Sequence, residues 1–157
     1  MSSEQSEAAV SGKLDELRRE CSARSLPVTV QRRTVVEELT RHGSHPTVDE
    51  LFAVVRQRLP GISRTTVYRI LETFVEIGIA DRVLHTGATV RYDARTEEHH
   101  HFSCDACDRV YDLEDLSIPA PKVPRSSAGG AVEIHGITVY LRGHCPDCRR
   151  KPSPASR

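Results

Sequence analysis

The chain has 157 residues, enough for one ordinary domain or two small ones, and only 4% of them are aromatic. Its 22 basic and 22 acidic side chains cancel, so any binding to nucleic acid must come from a local basic surface rather than from overall charge. No apolar run approaches the roughly 18 residues of a membrane span, and residues 1–10 lack a signal-peptide pattern, so we expect a cytoplasmic protein.

The first half of the chain has the pattern of helices. Residues 1–12 and 152–157 are small and polar, and we predict that both ends are disordered. An amphipathic helix is predicted over Lys13–Arg24, and three more follow with clear start and stop signals. They start after Thr29, Thr47 and Ser63 and stop at Gly43, Pro60 and Gly78. The short link between the last two helices is typical of a helix-turn-helix.

Short strands are predicted after the helices. Ala80–Leu84 and Thr89–Asp93 alternate in polarity around Gly87, which predicts a β-hairpin. Helices followed by such a hairpin form a winged helix-turn-helix, which we place at residues 13–93. A smaller domain is predicted at residues 94–151, which makes the chain α+β. Its strands are expected near His101–Cys104, Arg109–Leu113, Val132–His135 and Thr138–Leu141, with Ser117–Gly130 as a loop.

The fourth predicted helix has the side chains of a DNA-reading surface. From Leu51 to Leu71 there are four arginines and no acidic residue, so the zero net charge hides a basic stripe. Arginine, threonine and tyrosine suit phosphates, guanine and thymine methyl groups in a major groove. The candidate residues on this helix are Arg64, Thr65, Thr66, Tyr68 and Arg69. Arg82 and Arg91 in the hairpin could reach the neighbouring DNA backbone or minor groove. The alternative is an ordinary solvated helix face.

Two Cys-x-x-Cys pairs indicate a structural zinc site. They are Cys104 with Cys107 and Cys145 with Cys148. Cysteines in a cytoplasmic protein stay reduced, and four thiolates can complete a tetrahedral zinc site with no position left open for chemistry. The pattern therefore predicts a metal ion that stabilises the smaller domain.

A second metal site is indicated by histidines and carboxylates. On a strand, His99 and His101 point to the same side, and Asp93 and Asp112 lie within reach along the chain. His45 lies far upstream, and spacing alone selects neither His45 nor Asp112. Nitrogen and oxygen donors without sulfur favour Fe(II), Mn(II), Ni(II) or Zn(II), and two carboxylates shift the preference toward iron or manganese.

Six short motifs, taken together, resemble the ferric uptake regulator (Fur) family of metal-responsive repressors. They are Thr29-x-Gln31-Arg32, His45-Pro46-Thr47, Thr66-Val67-Tyr68-Arg69, Arg91-Tyr92-Asp93, His99-His100-His101-Phe102-x-Cys104-x-x-Cys107 and Gly143-His144-Cys145-x-x-Cys148. The resemblance implies a homodimer with a winged-helix DNA-binding domain, an α/β dimerisation domain and a palindromic operator. It implies zinc at the four cysteines. It also implies a regulatory Fe(II) or Mn(II) at His45, Asp93, His99, His101 and Asp112.

Details of the motifs refine the expected function. Aspartate at both carboxylate positions is similar to the peroxide-sensing PerR branch of the family, so we expect a repressor that responds to Fe or Mn and senses peroxide. The alternatives are an iron- or zinc-uptake regulator without peroxide sensing, a non-haem metal enzyme, and a zinc-ribbon interaction module. We expect no enzymatic activity. The prolines of residues 117–124 are incompatible with the long dimerisation helix that is usual in the family.

Overall fold

The structure, a computed structural model, describes residues 3–83, 89–114, 116–119 and 136–150. The chain divides into two compact units, Met1–Thr96 and Glu97–Arg157. The division falls three residues beyond the boundary that the sequence suggested. No helix in these described ranges is long and apolar enough to cross a membrane.

The first helix of unit 1, α1, spans Ser3–Ala23. It starts ten residues before the predicted Lys13, so the prediction that residues 3–12 are disordered is wrong. This segment contains alanine, glutamate and glutamine, which favour a helix, and Val10 is buried. The polar composition of this segment does not indicate its roughly three helical turns, in which one apolar side chain is buried. The helix packs against the next helix of the unit.

Three further helices confirm the predicted start and stop signals. They are α2 (Val30–His42), α3 (Val48–Arg58) and α4 (Arg64–Glu76). The hydroxyl groups of Thr29, Thr47 and Ser63 each accept a hydrogen bond from a backbone N–H in the first turn, which satisfies a donor that the helix leaves unpaired. Gly43 ends α2 in the left-handed conformation with φ 59°, which glycine adopts without strain.

The core of unit 1 joins all four helices to a hairpin. Strands β1 (Asp81–Val83) and β2 (Arg91–Asp93) are antiparallel, with Asp81 opposite Asp93. The predicted turn around Gly87 lies outside the described residues. Buried side chains from the four helices and β2 form one cluster, which includes Leu17, Val35, Leu51, Phe74 and Tyr92. The hairpin is therefore fixed to the helices through the apolar core.

Unit 2 has a three-stranded sheet in the order β4-β3-β5. The strands are β3 (His100–Cys104), β4 (Val110–Leu113) and β5 (Tyr140–Gly143), followed by the short helix α5 (Pro146–Arg150). The central strand β3 is antiparallel to β4 and parallel to β5. Three predictions for unit 2 lie outside the described residues. They are the strand at 132–135, most of the loop at 117–130 and the disordered end at 152–157.

Candidate metal centres and nucleic-acid surface

The four cysteines of the two Cys-x-x-Cys pairs come together in unit 2. Cys104 ends β3, Cys107 follows in a tight turn, and Cys145 and Cys148 lie at the start of α5 and within it. Their four sulfur atoms all lie within 4.8 Å of one another, and Cys107 Sγ is 3.9 Å from Cys145 Sγ. Zinc–sulfur bonds of about 2.3 Å in a tetrahedron place the sulfurs about 3.8 Å apart, so the cluster fits such an ion.

Backbone groups around the cluster favour the thiolate form. Burial opposes ionisation of Cys104, but N–H groups of Cys145, Ala106 and Cys107 outweigh it and lower the pKa of Cys104. The N–H of Cys148 is the main cause that lowers the pKa of Cys145 to about 6. Hydrogen bonds to Cys107 and Cys145 raise the pKa of Cys148 to about 12. Metal binding requires thiolates, so a cation bound at this cluster displaces any protons that the sulfurs still carry.

Asp108 lies in the turn that follows the first Cys pair. Its backbone adopts φ 54°, in the left-handed region. Aspartate tolerates this conformation better than most residues other than glycine, since its short polar side chain can form local hydrogen bonds. The Asp108 N–H donates to the carbonyl of Cys104 at 2.9 Å, which closes the turn beside the sulfur cluster. Aspartate is therefore accommodated in this turn.

Two of the predicted regulatory ligands meet inside unit 1. The segment before α3 pairs with β2, because the Tyr92 N–H donates to the Pro46 carbonyl at 2.9 Å. This pairing places His45 Nε2 3.1 Å from Asp93 Oδ2, with side chains that are only 4% and 12% exposed. An imidazole and a carboxylate held together with little access to solvent are a suitable pair of donors for a divalent cation. We call this pair the His45–Asp93 half-site.

The other three predicted ligands meet inside unit 2. His101 lies opposite Asp112 in the β3–β4 ladder. Asp112 Oδ1 is 3.4 Å from His99 Nε2 and 4.0 Å from His101 Nε2. His99 Nδ1 lies 2.7 Å from the Glu97 carbonyl oxygen, which can only accept, so Nδ1 carries the proton. In the neutral ring Nε2 then has the lone pair that a metal needs. These three residues form the His99–His101–Asp112 half-site.

Pairing across strands brings together two candidate ligands that spacing could not select. Asp112 was one of several acidic residues after the first Cys pair, and the strand register places it opposite His101. His45 was one of several isolated histidines, and the pairing of its segment with β2 brings it to Asp93. A predicted β3–β4 register would have identified Asp112, whereas nothing local in the sequence connects His45 with β2.

The exposed face of α4 carries most of the predicted DNA-reading residues. The side chains of Arg64, Thr65, Tyr68 and Arg69 are exposed, and Tyr68 is 45% accessible. Thr66 is half-buried, and its hydroxyl lies 2.8 Å from the hydroxyl of Ser63, the N-cap residue. Arg64 forms a two-pronged ion pair with Asp49 of α3, with Nη2 2.9 Å from Oδ2. Hydrogen bonding to Asp49 raises the pKa of Arg64, so its charge is secure.

Arg82 is held at the hairpin by a carboxylate of α4. Its guanidinium donates to both oxygens of Glu72. The Tyr92 hydroxyl donates to the same carboxylate at 2.9 Å. Burial, and then this hydrogen bond, raise the pKa of Tyr92 well above its usual range, so the phenol stays protonated. Glu72 therefore joins α4 to both strands of the hairpin.

Arg91 does not lie on the predicted DNA-reading surface. Its side chain is 12% exposed, and Nη1 donates to the His45 carbonyl at 2.8 Å and to Glu50 Oε2 at 3.1 Å. Side chains alternate along a strand, so Arg91 and Asp93 point to the same face of β2. This face is the one on which they contact the segment before α3. We therefore revise the predicted DNA contact at Arg91 to an internal structural role.

Comparisons with known proteins agree with these features. The model of the "Ferric uptake regulator family" matches residues 23–140. A peroxide operon regulator from Bacillus subtilis is 28% identical over 79% of this chain and 85% of its own length. The structure of the Helicobacter pylori ferric uptake regulator has a TM-score of 0.67 at 22% identity, with 92% of this chain and 96% of that chain covered. The Campylobacter jejuni peroxide stress regulator has a TM-score of 0.56 at 26% identity, covering 86% and 98%.

Proposed function

We propose that this chain, which belongs to the ferric uptake regulator family of metal-responsive transcriptional regulators, represses genes at a palindromic DNA operator when Fe(II) or Mn(II) is bound. Members of the family are dimeric DNA-binding regulators and not enzymes, so the metal enzyme considered from the sequence is set aside. We propose that the protein is a cytoplasmic homodimer that binds double-stranded DNA.

The four-cysteine cluster is proposed to bind a structural zinc ion. Four thiolates complete the tetrahedron of Zn²⁺, which leaves no position for a substrate, a water molecule or a regulatory ligand. Sulfur donors at mutual distances below 4.8 Å support this assignment. The ion would supply folding free energy to unit 2, and it would stay bound whether or not the protein is on DNA.

The regulatory ion is proposed to bind the two half-sites together, as the family resemblance implies. The ligands would be His45 and Asp93 from unit 1 with His99, His101 and Asp112 from unit 2. The observation that carries this proposal is the donor set, three imidazoles and two carboxylates without sulfur. Such a set suits Fe(II) or Mn(II) better than Cu(I). The protonated Nδ1 of His99, which leaves Nε2 as the donor, supports it further.

A shared ion explains how metal could control DNA binding. Ligands from both units would tie the units together and fix the separation of the two α4 helices in a dimer. Fixed recognition helices match two operator half-sites about one helical turn apart. If the ion binds this arrangement more tightly than others, it shifts the equilibrium toward it. Each 1.4 kcal/mol of difference in binding free energy changes the ratio of the two forms about tenfold. The DNA-competent form would then be a minority without metal.

We further propose that the metal-controlled repressor senses peroxide. The relatives named as peroxide regulators, and aspartate at both carboxylate positions, favour it over a plain iron or manganese sensor. Bound Fe(II) can supply electrons to hydrogen peroxide, whereas Mn(II) reacts far less readily. Imidazoles that bind the iron would be the side chains exposed to that chemistry. An uptake regulator without peroxide sensing is the second candidate.

Titration of Mn(II) into zinc-loaded protein tests the proposed function. The DNA would be a palindromic duplex enriched from random sequence by the Mn(II)-loaded protein. We expect Mn(II) to raise the affinity for this duplex at least about tenfold while one zinc per chain stays bound. Equal affinity with and without Mn(II) would refute metal control.

Substitution of Tyr68 separates DNA repression from a protein-interaction role. Tyr68→Ala removes an exposed aromatic ring from α4, and we expect loss of duplex binding of about 1–3 kcal/mol with the fold retained. Arg18→Ala, on the exposed face of α1, is the matched surface control and should bind like the wild type. Normal duplex binding by Tyr68→Ala would argue against α4 as the DNA-reading helix.

A further inference from the structure

The Arg91 side chain links two functional parts of unit 1. One nitrogen, Nη1, contacts both the backbone carbonyl of His45 and the carboxylate of Glu50. His45 belongs to the His45–Asp93 half-site, and Arg91 lies on the same strand as Asp93. The guanidinium therefore holds the backbone of one proposed ligand from the strand that carries the other.

Glu50 connects Arg91 to the first turn of α3. Its Oε2 accepts from the Thr47 N–H at 2.8 Å, and its own N–H donates to the Thr47 hydroxyl at 3.1 Å. This capping box fixes the start of α3, and Arg91 shares the same carboxylate oxygen. A displacement of Arg91 would therefore alter a hydrogen bond of the residue that caps the start of α3.

The same turn of α3 contacts the recognition helix. Asp49, next to Glu50, holds Arg64 through two parallel hydrogen bonds, and Arg64 is the first residue of α4. A two-pronged contact between an arginine and a carboxylate fixes direction as well as distance. In unit 1, polar contacts therefore connect the His45–Asp93 half-site through Arg91 to Glu50. The next residue along α3, Asp49, contacts Arg64 on the DNA-reading face.

We propose that Arg91 and Glu50 are positioning residues that couple the His45–Asp93 half-site to the helix-turn-helix. The proposal rests on the proposed function, since it needs His45 and Asp93 to bind the regulatory ion. Arg91 would hold His45 in place for the metal. When the half-site holds an ion, the Arg91–Glu50 contact would then fix the position of the first turn of α3 relative to that half-site.

The two substitutions should lower Mn(II) affinity to different extents. Arg91→Lys keeps the charge, but its side chain is shorter and ends in a tetrahedral ammonium rather than a planar guanidinium. The two acceptors can then no longer be held at their present positions, so we expect Mn(II) affinity to fall by about tenfold, as for other supports of metal ligands. Glu50→Gln keeps an oxygen for the Thr47 N–H but loses the negative charge facing Arg91. Here we expect a smaller loss of Mn(II) affinity and a clear loss of coupling to DNA.

The experiment measures coupling rather than DNA affinity alone. Mn(II) affinity of zinc-loaded, DNA-free protein is obtained by calorimetry, and duplex affinity with and without saturating Mn(II) is obtained by fluorescence anisotropy. The coupling factor is the ratio of the two duplex affinities. Glu50→Gln should reduce this factor by about 2- to 30-fold relative to wild type. Glu76→Gln, an exposed change at the end of α4, is the matched control and should keep the wild-type factor.

Structural damage is distinguished by two further measurements. Zinc content and the thermal midpoint of each variant should stay close to those of the wild type, because both substitutions leave the cysteine cluster and the apolar core unchanged. Combining the two substitutions should lower the coupling factor no further than the more severe single change, since both break one contact.

Two results would overturn separate claims. A wild-type coupling factor of one would refute the proposed function, and the role of Arg91 with it. A large wild-type factor that Arg91→Lys and Glu50→Gln both leave intact, with unchanged Mn(II) affinity, would refute the positioning role alone.

Discussion

Loss of the structural zinc should unfold unit 2 and leave unit 1 folded. Cys145→Ser removes one of the four sulfurs, and structural zinc sites contribute roughly 10–16 kcal/mol to folding in small domains. Among the described residues of unit 2, the buried apolar side chains are Cys104, Val110 and Cys145. Burial of such side chains contributes about 1.5–3 kcal/mol each, whereas each ordered residue costs roughly 1–2 kcal/mol of backbone entropy. From these described residues, we predict that unit 2 needs the proposed zinc ion to stay folded.

Unit 1 has a core that does not depend on zinc. The large buried cluster, from Leu17 to Tyr92, belongs entirely to unit 1. Of the described helices only α5, with 5 residues, lies in unit 2, whereas α1 alone has 21. Far-ultraviolet circular dichroism of Cys145→Ser should therefore retain about nine-tenths of the helical signal. Limited proteolysis should cleave within residues 97–150 and spare residues 3–83.

Cys21 provides the matched control for this experiment. It is also a buried cysteine, but it lies in the core of unit 1. Cys21→Ser should keep one zinc per chain and lower the stability of unit 1 by about 1–3 kcal/mol, because an apolar site then holds a hydroxyl. Two results would refute the reasoning: a protease-resistant unit 2 in zinc-free Cys145→Ser, or loss of most of its helical signal.

Three further predictions concern DNA binding, the hairpin and peroxide. Arg69→Ala should weaken duplex binding and, if Arg69 contacts a phosphate, reduce the slope of log affinity against log salt by about 1, whereas an unchanged slope would point to a base contact. Glu72→Ala should destabilise unit 1 by about 1–3 kcal/mol in urea unfolding, since the buried tyrosine hydroxyl of β2 loses its acceptor, and Glu76→Ala should change little. Hydrogen peroxide should add one oxygen to His45 or His99 in the Fe(II) form but not in the Mn(II) form, as read by mass spectrometry, and equal oxidation of both forms would contradict iron-dependent sensing.

Local signals in the sequence predicted the helices and the cysteine cluster. Thr29, Thr47 and Ser63 mark helix starts because capping depends only on the next few residues. Each Cys-x-x-Cys pair likewise fixes two sulfurs through a single turn. These features depend on neighbours in the chain, so the sequence alone contains enough information.

Features that depend on distant pairing could not be predicted in the same way. The hairpin pattern placed Arg91 on a wing, but the contact of β2 with the segment before α3 turns Arg91 inward to Glu50. The early start of α1 depends on Val10 finding a buried position, which its polar surroundings do not indicate. In both cases tertiary packing outweighs the local pattern.

Reciprocal binding tests the central claim of metal-controlled DNA recognition most directly. If Mn(II) raises affinity for the palindromic duplex by a given factor, the duplex must raise affinity for Mn(II) by the same factor. Mn(II) titration of zinc-loaded protein, with and without saturating duplex, measures this second factor. The account predicts tighter Mn(II) binding on the duplex, by at least about tenfold. An Mn(II) affinity that the duplex leaves unchanged would contradict it.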